Sequence, residues 1–225
     1  DFKVDMSQWK FLVLRNLAGI ASMLLTFYAI KYLPISIAIL LMNTSALFVP
    51  LLLFFFKVRT PLKVLACSFM GFIGVSIIML TNDSMNINPL HAGYALGAAA
   101  LAAMAFISLQ ELNKHNSPKN IVFYFHLLGS ILLPLFFIAQ WKIPTLHGFT
   151  LLLLVGGFGL IFQLLLTRAF KYAPANVITP FAFTGVIFSS ICDWLFWDNV
   201  PSLNFWIGSL VIIIAVSLLA RMRAK

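Results

Sequence analysis

Eight long apolar runs, separated by short polar connections, make up almost the whole chain. Each run has roughly 20 residues, the length that an α-helix needs to cross a bilayer. Because unpaired backbone groups cannot lie in hydrocarbon, segments of this length must be helices rather than open strands. The pattern therefore predicts eight transmembrane helices, at residues 11–33, 35–56, 62–80, 90–110, 121–140, 148–170, 177–197 and 203–220.

Composition supports this interpretation. Of the 225 residues, 62% are hydrophobic and only 9% are charged, whereas a soluble domain has roughly 25% charged residues. The connections between the apolar runs are too short to hold a soluble domain. We therefore predict an all-α membrane protein, a polytopic helical bundle whose surroundings are the lipid bilayer.

The net charge of +9 could indicate a nucleic-acid partner, but the distribution of the charge favours another explanation. Alternate connections and the two termini hold 13 of the 15 basic residues, and only Lys31 and Lys142 fall on the other side. This bias is the positive-inside signal. It predicts a multi-pass protein with both termini in the cytoplasm and no nucleic-acid partner.

A short motif occurs twice, as "AIKYLPIS" at residues 29–36 and as "AFKYAPAN" at residues 169–176. Residues 19–61 align with residues 159–201 without a gap, which indicates an internal repeat. Convergent use of proline at helix junctions is the alternative explanation. The identical pairs include Gly19/Gly159, Lys31/Lys171, Tyr32/Tyr172, Pro34/Pro174, Thr44/Thr184, Phe48/Phe188 and Pro61/Pro201.

The two copies of the motif lie five helices apart. Because five is an odd number, the second copy enters the membrane from the opposite side, and the repeat is inverted. Inverted repeats are typical of secondary transporters. The prediction is an incomplete inverted repeat of five-helix units, with three helices in residues 1–81 and five in residues 82–225. A complete first unit would start roughly 50 residues upstream of Asp1, so we expect a natural protein of ten helices.

Several soft motifs in this order resemble the drug/metabolite transporter superfamily, EamA-type. They are "RNLAGIASMLLTFYAIKYLPISIAILL" and "FMGFIGVSIIML" in the first half, and "HAGYALGAAALAAMAF", "LLLTRAFKYAPANVITPFAF" and "FWIGSLVIIIAV" in the second. The resemblance covers nearly the whole chain. It implies a ten-helix carrier in a bacterial-type inner membrane that moves a small metabolite, such as an amino acid or a nucleoside-like or drug-like compound, by alternating access.

Polar groups inside a bilayer are costly, and are therefore candidates for function. The alternative for the serines and threonines is local hydrogen bonding to the backbone of their own helix, and for the aromatic residues it is apolar filling. A buried amide is harder to satisfy locally. The predicted substrate-binding residues are Asn43, Thr44, Gln163, Thr179, Thr184, Tyr28 and Phe183.

Charged residues in or near the spans are few. Asp193 is the candidate for proton or cation coupling, and a carboxylate that reaches the interface beside Trp194 and Trp197 is the alternative. Arg15 and Glu111 lie near cytoplasmic helix ends, where we expect them to face headgroups or to pair locally.

Other chemistry lacks a signature in the sequence. No G-x-x-x-x-G-K-[ST] loop, metal-ligand cluster or G-x-S-x-G elbow occurs, so we predict no ATP-driven pump, no metal, no cofactor and no enzyme. The predicted function is secondary transport of a small-molecule substrate. A truncated, non-transporting scaffold and an intramembrane enzyme are the alternatives, and homo-oligomer formation stays open.

Overall fold

The computed structural model describes residues 5–33, 35–55, 60–79, 88–138, 143–198, 200 and 202–223, and no β-strand occurs among them. A 3-10 helix precedes the first α-helix, and another lies at Thr179–Phe183. The α-helices are α1 (Trp9–Tyr32), α2 (Ile35–Asn43), α3 (Ser45–Phe55), α4 (Leu62–Met79), α5 (Pro89–Leu112), α6 (Pro118–Phe137), α7 (Leu146–Tyr172), α8 (Ala175–Ile178), α9 (Thr184–Trp197) and α10 (Leu203–Arg223).

The predicted membrane bundle of eight spans is confirmed, although two of the spans are interrupted. Among the described residues, α1, α5, α6, α7 and α10 are each long and apolar enough to cross a membrane. The α4 helix is apolar but shorter, with 18 residues. The remaining two spans are built from α2 with α3, and from α8 with α9. The fold is therefore an all-α membrane bundle.

Helices α1 and α7 end in the same way at the two copies of the repeated motif. The backbone N–H of Leu33 donates to the carbonyl of Ala29 at 2.8 Å, and that of Ala173 donates to the carbonyl of Ala169 at 3.1 Å. Leu33 and Ala173 are both extended, because a residue that precedes proline avoids the helical region. The described residues of the two copies thus end their helices in the same way.

The second and seventh spans, predicted as continuous helices over 35–56 and 177–197, are broken in the structure. Thr44 forms a turn between α2 and α3. In the seventh span, the 3-10 helix follows α8, and α9 begins at Thr184. The prediction of continuous helices was wrong here. Since Thr44 and Thr184 are equivalent in the repeat, the two breaks occur at corresponding positions.

Side-chain hydrogen bonding explains the two breaks. The Oγ1 atom of Thr44 donates to the carbonyl of Leu41, and Oγ1 of Thr184 donates to the carbonyl of Phe181 at 2.7 Å. A hydroxyl that binds the carbonyl three residues earlier competes with the regular helical bond. Pro180 adds a second cause in the seventh span, because proline has no N–H to donate.

Two helix pairs pack closely and define the frame of the bundle. Helix α1 lies along α5, where Oγ of Ser22 donates a buried hydrogen bond to the carbonyl of Ala98 at 2.8 Å. Helix α4 lies along α10, and an added Cβ on Gly74 would lie 2.8 Å from the carbonyl oxygen of Gly208. Glycine is needed at this crossing because the two backbones approach without room for side chains.

Helix α7 is the least covered of the long helices. Every residue from 149 to 162 is exposed, although nearly all of them are apolar. This apolar surface suits contact with hydrocarbon or with a further helix, and part of it borders the cavity described next. The C-terminal part of α7 is better packed, since Thr167 and Phe170 are buried.

Candidate functional site

A cavity of about 680 Å³ lies between α1, α6 and α7. This volume falls in the usual range for a site that holds a small molecule. Met23 on α1 and Gln163 on α7 both border it, and the two positions are equivalent in the repeat. The cavity therefore lies between corresponding helices of the two copies. Its lining comprises Ile20, Met23, Leu24, Phe27, Phe125, His126, Gly129, Ser130, Leu133, Pro134, Phe137, Val155, Gly156, Gly159, Phe162 and Gln163.

The lining is apolar except for Gln163, His126 and Ser130. Nδ1 of His126 lies 2.9 Å from the carbonyl oxygen of Val122. A carbonyl can only accept, so Nδ1 is the donor in this contact. An apolar wall with a few polar groups is typical of small-molecule sites, in which the polar groups orient the ligand.

Arg15 lies behind the wall of this cavity, and its side chain is buried, only 3% exposed. Its Nη2 donates to Oε1 of Gln163 at 3.1 Å, and its guanidinium carbon lies 4.4 Å from the centre of the Phe125 ring. Both partners border the cavity. Gly19, one turn further along α1, makes room for the guanidinium, because an added Cβ there would contact Nη1 of Arg15.

The charge of Arg15 has no acidic partner among the described residues. Glu111 forms an ion pair with Lys114 at 2.7 Å and not with Arg15. Nε of Arg15 is buried and has no hydrogen-bond partner among the described residues. The Phe125 ring contributes about 0.5 to 2 kcal/mol of cation–π attraction. A buried charge normally requires a partner of the opposite sign, so this guanidinium is only partly compensated.

The structure corrects the expectation for Arg15 and agrees with that for Glu111. Glu111 pairs locally with Lys114, but Arg15 faces the bundle interior instead of headgroups. Arg15 lies six residues after Trp9, about 9 Å along the helix axis. That depth was the sequence signal for a buried charge. The identity of its partner, 148 residues away on α7, had no signal in the sequence.

The predicted residues in the broken spans do not border this cavity. Thr44, Thr179 and Thr184 each donate to a carbonyl three or four residues earlier, which is the local bonding considered as the alternative. Asn43, beside the first break, has a buried Nδ2 atom that lacks a partner in the described structure.

The two aromatic candidates lie elsewhere. Tyr28 belongs to an exposed aromatic cluster, in which its ring centre lies 5.6 Å from that of Tyr32 and 5.4 Å from that of Tyr94. Phe183 is fully buried in the core that also holds Ala46 and Val186. The side chain of Asp193 lies outside the described residues. Of the predicted substrate-binding residues, the structure places Gln163 at the cavity.

Comparison with known proteins gives consistent results. The model of the EamA-like transporter family matches residues 90–221. The chain is 29% identical over 213 residues to a pseudopaline exporter of Pseudomonas aeruginosa, an alignment that covers 93% of this chain and 74% of the exporter. It is 26% identical over 219 residues to a riboflavin transporter of Vibrio cholerae, covering 95% of this chain and 72% of the transporter.

The fold is also found in a known crystal structure. That structure superposes with a TM-score of 0.78 at 15% identity, and the match covers 95% of this chain and 78% of the other. At this level of identity the likeness concerns the fold alone. The family match spans more than half of the chain, and the resemblance predicted from the sequence motifs is confirmed. The chain belongs to the EamA-like transporter family, within the drug/metabolite transporter superfamily, and is a membrane transporter rather than an enzyme.

Proposed function

We propose that the chain carries one class of small metabolite across a bacterial-type inner membrane by alternating access, with the α1/α6/α7 cavity as the substrate site. The observation that carries this proposal is the position of the cavity between repeat-equivalent helices, with Met23 and Gln163 facing it from the two copies. In an inverted repeat, such a site can be exposed to each side in turn by rocking one copy against the other.

The relatives support the general class of substrate. One is named an exporter of pseudopaline and another a transporter of riboflavin. Relatives of this chain therefore carry different small metabolites. The volume of about 680 Å³ suits a compound of this general size. The aromatic residues of the lining favour a substrate with an apolar or aromatic body.

The two helix breaks supply a physical means for movement. Broken helices at corresponding positions of the two copies are a recurrent feature of inverted-repeat transporters. Thr44 and Thr184 each end a regular hydrogen-bond ladder, so a span can bend there at lower cost than within a continuous helix. We assign the breaks to hinges and the repeats to residues 1–81 and 82–225, with both termini cytoplasmic.

Ligand-induced thermal stabilisation tests this proposal. A compound that binds the folded protein alone raises its melting temperature by mass action, so the purified chain is heated with a panel of amino acids, nucleosides, flavins and cationic drugs. We expect one chemical class to raise the melting temperature in the wild type and to have less effect in Gln163→Ala. If no compound of the panel changes the melting temperature of a well-folded protein, the result would favour the non-transporting scaffold.

A further inference from the structure

The geometry points to Arg15 as the residue that binds an anionic group of the substrate, so that the cavity accepts an organic acid with an apolar or aromatic body. This inference rests on the proposed function and narrows its substrate class. The sequence predicted no substrate contact for Arg15, which was expected to face headgroups or to pair locally. The evidence is the position of the guanidinium, its lack of an acidic partner and the composition of the cavity wall.

The guanidinium lies directly behind the cavity wall. Oε1 of Gln163 accepts from its Nη2 at 3.1 Å, and its carbon lies over the Phe125 ring, 4.4 Å from the ring centre. Gln163 and Phe125 both line the cavity. An anion that enters next to Gln163 is therefore within one side-chain length of Arg15. Gly19 leaves room for this arrangement, since any Cβ there would contact Arg15 and Phe125.

The bonding of Arg15 is incomplete without a ligand. Guanidinium has five N–H donors in a fork that matches a carboxylate or a phosphate, yet one hydrogen bond, to Gln163, is present among the described residues. Nε is buried without a partner. The neutral amide of Gln163 cannot neutralise the charge, and the carboxylate of Glu111 is occupied by Lys114.

Among the described residues, a structural role for Arg15 alone does not account for these features. A purely structural buried arginine is normally neutralised by a carboxylate or fully hydrogen-bonded, and this one is neither in the described part of the chain. A surface arginine would extend to the headgroups, whereas Arg15 is buried against Phe125. A substrate anion would supply the missing charge when it binds.

The rest of the cavity indicates what the anion is attached to. Phe27, Phe137 and Phe162 contribute aromatic surface, and Leu24 and Leu133 contribute aliphatic surface. The side-chain nitrogen of Gln163 makes no hydrogen bond to the residues that the structure describes, so it is free to donate to the same anion. The ligand is therefore an amphipathic acid whose carboxylate lies near Arg15 and whose body fills the apolar part.

The test compares acids with their amides. Binding of N-acetylphenylalanine and indole-3-acetate, and of the corresponding carboxamides, is measured by thermal shift and by proteoliposome uptake with the full chain. Each pair differs in charge but has the same body. We expect the wild type to bind the acid about tenfold or more tightly than the amide, since the charged contact is about twice as strong as a neutral one.

The variants assign the preference to Arg15. Arg15→Gln should remove the preference for acid over amide, and Arg15→Lys should keep part of it, because lysine retains the charge but lacks the fork. Arg168→Gln is the matched control. Arg168 is exposed on α7 and does not border the cavity. Arg168→Gln removes one positive charge, as Arg15→Gln does, but it should leave the preference for acid over amide unchanged.

Three results would overturn the inference. The first is a wild type that binds panel compounds without preferring acids, and the second is a preference that survives in Arg15→Gln. The third is Arg15-dependent stabilisation by phosphatidylglycerol but by no acid, which would make Arg15 a lipid contact. If no compound of any charge binds, the proposed function itself fails, and this outcome differs from the other three.

Discussion

Arg15 and Gln163 are joined by a hydrogen bond of 3.1 Å that connects positions 148 residues apart. The bond links α1 to α7, which are equivalent helices of the two repeat copies, at the edge of the cavity between them. Gln163 therefore has two functions in this account. It holds the guanidinium of Arg15 in position, and it presents its own amide to the cavity.

Replacing Gln163 tests both functions. In Gln163→Ala, the guanidinium loses its described hydrogen-bond partner and the cavity loses an amide. A hydrogen bond to a charged group contributes about 1.5 to 3 kcal/mol, so we expect substrate affinity to fall about tenfold or more. The measurement is the Kd from thermal shift, with membrane yield as the expression control. An unchanged Kd would remove Gln163 from the site.

Gly19→Ala should displace the guanidinium without changing any charge. The added Cβ would lie 2.9 Å from Cε2 of Phe125 and would also contact Nη1 of Arg15. Overpacking of this kind costs about 1 to 3 kcal/mol, so the melting temperature and the preference for acids should both fall. Gly93→Ala is the control, because a Cβ at Gly93 meets no atom within 4 Å. Equal effects of the two variants would contradict the geometry.

Removing the two threonine hydroxyls tests the hinge assignment. Thr44→Val and Thr184→Val keep the side-chain shape but lose the bonds to the carbonyls of Leu41 and Phe181. The regular helical bonds should then compete better, so we expect about a threefold or greater loss of turnover.

The control for the hinge variants is Thr150→Val. Thr150 is exposed on α7, and its Oγ1 donates to the carbonyl of Leu146 at 3.1 Å within a continuous helix. We expect wild-type turnover in this variant. Hydrogen exchange around positions 44 and 184 supplies a second readout, which should slow in the hinge variants. Normal turnover in both hinge variants would refute the role of the breaks.

The crossing of α4 and α10 predicts a site of low tolerance. In Gly74→Val, the first added carbon would lie 2.8 Å from the carbonyl oxygen of Gly208 and 2.8 Å from Cγ1 of Ile212. Because the backbone cannot move aside cheaply, we expect the free energy of unfolding to fall by about 1 to 3 kcal/mol. The melting temperature should fall with it. In Gly157→Val the added carbon meets no atom within 4 Å, and stability should change little. A stable Gly74→Val would argue against the close crossing.

The spans and the repeat corners could be predicted from the sequence because their causes are local. A run of apolar residues determines a span, and proline determines the end of α1 and of α7. The helix breaks were harder to predict. Thr44 and Thr184 lie within apolar runs, and their effect depends on whether the hydroxyl binds its own backbone, which hydropathy does not measure.

The candidate site was only partly predictable, because cavities depend on contacts between distant helices. Gln163 was identified from its polarity inside a span. Arg15 was expected to face headgroups or to pair locally, since charge near a helix end normally extends outward, and the contacts of α1 with α6 and α7 show it to be buried. Phe183 has the aromatic side chain expected of a cavity wall, but it fills the core beside Gly71.

The central claim is that substrate occupies the α1/α6/α7 cavity, and uptake by Gly159→Leu tests it most directly. Gly159 lines the cavity, and an added Cβ there meets no atom within 4 Å. The Gly159→Leu variant should therefore fold normally, with the leucine side chain in the space that the substrate would occupy. Gly157→Leu is matched in helix and chemistry, but Gly157 is not part of the lining. We predict that proteoliposome uptake is lost in Gly159→Leu and retained in Gly157→Leu. Equal uptake by the two variants, at equal protein levels, would contradict the account.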